Sequence, residues 1–214
     1  MSHKISHIIW DWNGTLLDDA DITIGATIGW LESVGRSGVT PELVRQHSSR
    51  DFAKSYSELL GRAVTSQELD EAKDFYWSKY EPAKRDLPLA TDAVAALELV
   101  KAAGLGQSLL SMAPHDELIE LADLHGLTGF FDAVQGFKGG SNSKRDNLRT
   151  HLDHLGVAAE NTALIGDALD DFEVSTALGV LPVLVATGMY SEERLIETGA
   201  RVEQSLLGAL KGLL

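Results

Sequence analysis

The chain has 214 residues, 44% of them hydrophobic and 23% charged, and no cysteine; this suffices for one core with a modest insertion and rules out a disulfide or thiolate site. A net charge of −14 and a pI near 4.8 make nucleic acid and anionic lipid poor partners, and an anionic substrate would need local positive charge from a metal or a few Lys and Arg side chains. No apolar run approaches membrane-spanning length and the start, Met1-Ser2-His3-Lys4, lacks the regions of a signal peptide, so a cytoplasmic location is the default expectation.

Residues 1–16 read as a first strand and its loop. The run Ile5–Trp10 is mostly apolar, with Ser6 and His7 inside it, as a buried strand requires. It ends at Asp11, and Asn13-Gly14 supplies a turn where positive φ is accommodated. A carboxylate at the carboxyl end of a central strand is how open α/β sheets present chemistry to a crevice.

From about Asp19 to Tyr80 the pattern is helical. Ile24, Ile28, Leu31 and Val34 form one apolar face that ends near Gly35. Thr40 caps a second helix with Pro41 at its first position. Phe52, Tyr56, Leu59 and Leu60 form a third, stopped by Gly61. Thr65-Ser66-Gln67-Glu68 opens a fourth with a capping-box pattern and continues through Phe75, Trp77 and Tyr80. This is an all-helical insertion of about sixty residues.

Pro82, Pro88 and Ala90-Thr91-Asp92 then return the chain to an α/β rhythm. The expected order is helix 92–103, strand 107–111, helix 114–125, strand 133–136 and a polar loop 138–143. Helix 144–155, strand 162–166, helix 169–178 and strand 180–185 follow. The tail reads as mostly helical with one short strand. Alternating strands and helices imply a parallel sheet with right-handed crossovers.

Four segments then lie past the carboxyl ends of strands: Asp11–Thr15, Ser111, Lys144 after its loop, and Gly166–Asp171. Neighbouring parallel strands bring such ends together. Crowded carboxylates repel unless a cation joins them, and hard oxygen ligands with open positions suit magnesium. A lysine and a serine nearby could hold a phosphoryl group, and a carboxylate in line with phosphorus can act as nucleophile.

These segments resemble the haloacid dehalogenase-type hydrolase superfamily in its phosphoglycolate-phosphatase-like branch, over nearly the whole chain. The resemblance implies a Rossmann-like parallel core, residues 1–17 and 86–214, with a helical cap inserted at 18–85. It implies Asp11 as nucleophile and metal ligand, and a backbone carbonyl ligand from Asn13. It puts Thr15 near the first-motif turn and uses Thr15, Ser111 and Lys144 to hold the phosphoryl group, Lys144 also steadying Asp11. It makes Asp167 a magnesium ligand and Asp171 the second acid of the last motif. Asp170 is an extra acid without a role, and Lys138 and Arg145 are rival positive groups to Lys144. A related branch that removes halide without metal gains nothing from the charges at Asp167–Asp171.

The departure is Asn13, where these phosphatases carry an aspartate that protonates the leaving oxygen and then activates water. An amide has no titrating proton, and general acid–base help is worth roughly 10²–10⁴-fold. Four accounts compete. Another residue, with His47 and His115 as candidates, or the substrate itself replaces the acid. The leaving group needs none, as with an acyl phosphate or a phosphonate, although Lys54 lacks the surroundings of the phosphonate-cleaving Schiff-base lysine. The protein binds phosphate compounds or holds a phospho-aspartate without efficient turnover. Or Asn13-Gly14 deamidates.

The cap is expected to close over the crevice about hinges near Leu17–Asp19 and Lys84–Leu89. Arg50 and Lys54 are the cap residues suited to meet an anionic tail. Of Trp10 and Trp12, one should pack in the core and the other line the entrance. The expected activity is magnesium-dependent release of phosphate from a small phosphorylated metabolite through phospho-Asp11; the alternative is a phosphate-ligand binding or regulatory protein with a weakened centre.

Overall fold

A computed structural model describes residues 4–140 and 143–214. Six parallel strands form one sheet in the order β3-β2-β1-β4-β5-β6. They are β1 His7–Trp10, β2 Gly106–Pro114, β3 Val134–Phe137, β4 Thr162–Gly166, β5 Leu181–Val185 and β6 Arg201–Glu203. The helices on this sheet are α5 Ala93–Ala102, α6 His115–Leu124, α7 Lys144–Leu155, α8 Leu169–Leu178, α9 Glu192–Ile196 and α10 Leu206–Leu210.

The continuous apolar runs of the inner strands follow from burial on both faces. In β1, Ile8 and Trp10 enter a core shared with Leu97, Val100, Leu118 and Leu210, whereas Ile9 points the other way, against Leu148, Leu152 and Val174. Trp10 pairs in register with Leu109 of β2 and Ile165 of β4. Asp11, the next residue, is therefore delivered beside the carboxyl ends of both central neighbours.

Between β1 and β2 lies the helical insertion: α1 Ala20–Ser33, α2 Pro41–His47, α3 Phe52–Leu60 and α4 Ser66–Ala83. Its starts are those the sequence encodes. Thr40 accepts from Leu43 N, and Thr65 and Glu68 form a reciprocal capping box. Its helices bury a core of their own around Ile24, Trp30, Leu31, Val44 and Leu59. The two connecting segments run side by side, with Leu17 bridged to Leu89, Asp18 N donating to Pro88 O and Ala90 N to Leu16 O.

Several boundaries differ from the sequence reading. Ile5 and Ser6 precede β1 rather than belonging to it. β2 continues through Pro114, which caps α6 instead of opening it. α4 runs through Pro82, where the missing N–H falls in the last turn. The tail holds two helices around β6, as expected. The Met1–His3 start and part of the polar loop, Ser141 and Asn142, lie outside the described residues. Among the described residues no helix is long and apolar enough to cross a membrane.

Candidate active site

The carboxyl ends of β1 and β4 and the first turns of α7 and α8 meet at one buried cluster. Oxygens of Asp11, Asp167 and Asp171 all lie within 4.8 Å of one another. Lys144 enters from the first turn of α7, a helix fixed by the Ser143–Asp146 capping box. Its Nζ donates to Asp11 Oδ2 at 2.6 Å, while Trp12 N donates to Asp11 Oδ1 at 2.7 Å. Nζ also forms an ion pair with Asp171 Oδ1 at 2.6 Å. Asp171 Oδ2 accepts from Ala168 N. Asp167 accepts from Thr15 Oγ1 and Met189 N, each at 3.3 Å.

Three carboxylates thus face one ammonium. Burial works against the charge on Lys144, but Asp11, Asp171 and Asp170 together outweigh it and hold the ammonium well above its usual range. Burial pushes Asp167 well up, and Asp11 and Asp171 add to the rise. Asp171 also rises, chiefly through burial, with Lys144 opposing. Carboxylates this crowded resist ionising together unless a cation joins them. The excess negative charge and the all-oxygen donor set of Asp11, Asp167 and Asp171 fit a hard divalent ion.

Glycines shape the walls. A Cβ on Gly14, where φ is +69°, would lie 2.6 Å from the Asp167 carboxylate, and one on Gly166 2.3 Å from that of Asp171. A Cβ on Gly188 would stand 1.7 Å from Asp167 Oδ2. Gly188 is a site residue that no motif in the sequence marks; it arrives from the loop after β5.

Asn13 is held by the insertion. Its Nδ2 donates to Asp19 Oδ2 at 2.6 Å and to the Tyr80 hydroxyl at 2.8 Å. Tyr80 OH donates to Asp19 Oδ2 at 3.1 Å, and Gly14 N to Asp19 Oδ1 at 2.8 Å. Neither Asp19 nor Tyr80 stands out as a site residue in the sequence. The only signal is the doubled acid Asp18-Asp19 at the end of the first motif.

Residues 8–185 match the haloacid dehalogenase-like hydrolase family. The chain belongs to that family. It is similar over 98% of its length, at 25% identity, to phosphoglycolate phosphatases of Neisseria gonorrhoeae and Neisseria meningitidis, covering 93% and 94% of those chains. A haloacid dehalogenase-like hydrolase from Streptococcus pneumoniae shares the fold with a TM-score of 0.80 at 18% identity, over 98% of this chain and 99% of that one.

Within this hydrolase, the remaining expected site residues fall into two groups. Ser111 is buried at the same end of the sheet, its Oγ accepting from Ala113 N. Arg50 reaches from the insertion to Asp170, 3.8 Å away, which gives that acid a partner. Arg50 also lines a groove of about 360 Å³ with Ser143, Arg145, Glu173, Val174 and Ala177. Lys54 and Lys138, by contrast, are exposed and make no ion pair among the described residues. His47 pairs with Glu58 inside the insertion, and His115 Nδ1 accepts from Gly136 N; neither bonds to Asn13. The expected division of labour between Trp10 and Trp12 is overturned. Both are fully buried, because the turn after Asp11 sends the Trp12 ring back under the sheet, among the same core cluster as Leu16 and Leu17.

Proposed function

We propose that this chain is a magnesium-dependent phosphohydrolase that releases phosphate from a small phosphorylated metabolite through a phospho-Asp11 intermediate. The observation that carries this reading is the buried Asp11–Lys144 pair set against Asp167 and Asp171. Its similarity to phosphoglycolate phosphatases supports the substrate class. Asp11, Asp167, Asp171 and the Asn13 backbone carbonyl would hold magnesium. When bound, the ion would supply positive charge to the phosphoryl oxygens.

The chain's own residues account for the rest. Lys144 fixes Asp11 Oδ2, and Trp12 N fixes Oδ1, so the carboxylate is oriented before substrate arrives. Lys144 and Ser111 would neutralise and orient the phosphoryl oxygens, with Thr15 steadying Asp167 beside them. Residues 18–85 act as a cap on the core of 1–17 and 86–214. Its contacts with that core, Tyr80 and Asp19 to Asn13, Lys84 to Glu117 and Arg50 to Asp170, would exclude water when the cap is closed. Arg50 is the cap cation suited to an anionic substrate tail. Lys54 is a weaker candidate for that role.

A second reading, a phosphate-binding or regulatory protein with little turnover, is favoured by Asn13, which cannot pass a proton to a leaving oxygen. Phosphate release with magnesium from acetyl phosphate and an alkyl phosphate separates the two. Release by the wild type that vanishes in Asp11→Asn supports the phosphohydrolase. Binding of phosphate analogues with no release from either compound supports the binding protein.

A further inference from the structure

What Asn13 offers to a substrate is fixed by its neighbours. Its amide nitrogen has two hydrogens, and both are used, on Asp19 Oδ2 and on the Tyr80 hydroxyl oxygen. The reverse amide orientation would press the Asn13 oxygen against the Asp19 carboxylate. Tyr80 in turn donates to Asp19, so its lone pair faces Asn13. Asp19 and Tyr80 are both buried, whereas Asn13 is partly exposed. The ring leaves Oδ1 as the uncommitted atom of the amide, with no partner among the described residues. Both oxygens of Asp19 face donors, Asn13 Nδ2, Tyr80 OH and Gly14 N, so the carboxyl points no O–H at a leaving group.

The group beside the nucleophile is therefore a fixed hydrogen-bond acceptor. An alkoxide leaving group needs a proton, which an acceptor cannot supply. An acyl phosphate needs none, but its leaving carboxylate offers only acceptors to Oδ1. A phosphoramidate differs from both. In its reactive form the bridging nitrogen already carries its protons, departs as a neutral amine, and can donate N–H to Oδ1. We propose that Asn13, oriented by Asp19 and Tyr80, makes this site selective for N-phosphorylated substrates; the proposal rests on the phosphohydrolase reading above.

In the step this implies, an Asp11 oxygen bonds to phosphorus as the P–N bond breaks. The electron pair goes to nitrogen, which keeps its hydrogens and leaves as amine. Water then attacks phosphorus, the acyl–phosphate O–P bond breaks, and Asp11 carboxylate and phosphate are released, with the water's surplus proton carried by phosphate or solvent. Asp19 and Tyr80 are positioning residues.

The test measures kcat/KM with magnesium at neutral pH for phosphoramidate, acetyl phosphate and ethyl phosphate, each corrected for uncatalysed release. Phosphoramidate should exceed ethyl phosphate by at least about 100-fold and acetyl phosphate by about tenfold. In Tyr80→Phe one Asn13 N–H is freed to turn toward a leaving oxygen, and the phosphoramidate-to-acetyl ratio should shrink toward unity. Asp19→Asn should act in the same direction. A merely structural loss would lower all three values and leave the ratios alone. Ethyl or acetyl phosphate cleaved as well as phosphoramidate overturns the proposal and leaves the phosphohydrolase standing. Ratios unmoved in Tyr80→Phe overturn the positioning role. Release from none of the three overturns the phosphohydrolase reading and the proposal with it.

Discussion

Asn13 Nδ2 and Asp19 Oδ2 stand 2.6 Å apart, an amide and a carboxylate at opposite ends of one seven-residue loop. An aspartate introduced at position 13 would therefore meet a carboxylate. Two carboxylates at that distance cannot both ionise, and the Tyr80 hydroxyl would lose a donor. Asn13→Asp alone is expected to destabilise the fold by about 1–3 kcal/mol and to gain little alkyl phosphatase activity. Asn13→Asp combined with Asp19→Asn restores one acid against one amide, with the acid now at position 13. The double variant should recover most of the stability in a urea melt and gain alkyl phosphate turnover that the single variant lacks.

Gly188 offers a prediction with no counterpart in the sequence motifs. Alanine there places a Cβ 1.7 Å from Asp167 Oδ2, and one of the two must move. Among the described residues Asp167 is held by two long hydrogen bonds, from Thr15 and Met189, so the carboxylate yields. Gly188→Ala should weaken magnesium binding by about 10–100-fold, measured by calorimetric titration, with an unchanged far-ultraviolet dichroism spectrum.

The contrast between these two sites says what the sequence could carry. β4 and α8 fall where periodicity places them, at 162–166 and 169–178, because burial on both faces leaves a local signal in the sequence. Asp11, Lys144, Asp167 and Asp171 were legible because each sits at a strand end or helix start of a parallel sheet. Gly188, Asp19 and Tyr80 act through approach across the fold: Tyr80 meets a residue 67 positions away. Trp12 misled for a related reason, since strand alternation stops at Asp11 and cannot say which way the following turn sends a ring.

The charge balance of the cluster yields opposite signs for one substitution under two conditions. Asp167 is driven toward its neutral form by burial and by Asp11 and Asp171, so its ionised form destabilises the cation-free fold at neutral pH. Asp167→Asn should therefore melt higher than wild type in EDTA. With magnesium at 100 times its Kd the wild type should gain about 2.7 kcal/mol, and the variant should gain much less. Thermal melts of both proteins in the two buffers give all four values.

Away from the site, two buried histidines share one hydroxyl. His7 Nε2 and His151 Nε2 each lie 2.8 Å from Ser108 Oγ. Gln135 donates through Nε2 to Asn147 O, so its Oε1 faces His151 Nδ1, which must carry the proton. His151 Nε2 then accepts from Ser108, and Ser108 accepts from His7. A second proton on His151 would set two ring donors against one oxygen. Burial, with smaller contributions from His7 and His154, lowers His151 from 6.5 to about 4; Asp132, 3.9 Å from His7 Nδ1, is the nearby acid of this network. Between those two values the unfolded chain binds the proton more readily than the native state, so this group's contribution to stability falls as pH drops from 6.5 toward 4. The full difference is on the order of 3 kcal/mol. Cation-free Asp167 and Asp171 pull the other way over part of this range, but they are common to wild type and His151→Gln. At fixed magnesium, the stability of wild type relative to His151→Gln should decline steadily from pH 6.5 to pH 4.5 in urea melts; a difference independent of pH would mean that His151 takes up its proton in the fold as readily as in the unfolded chain.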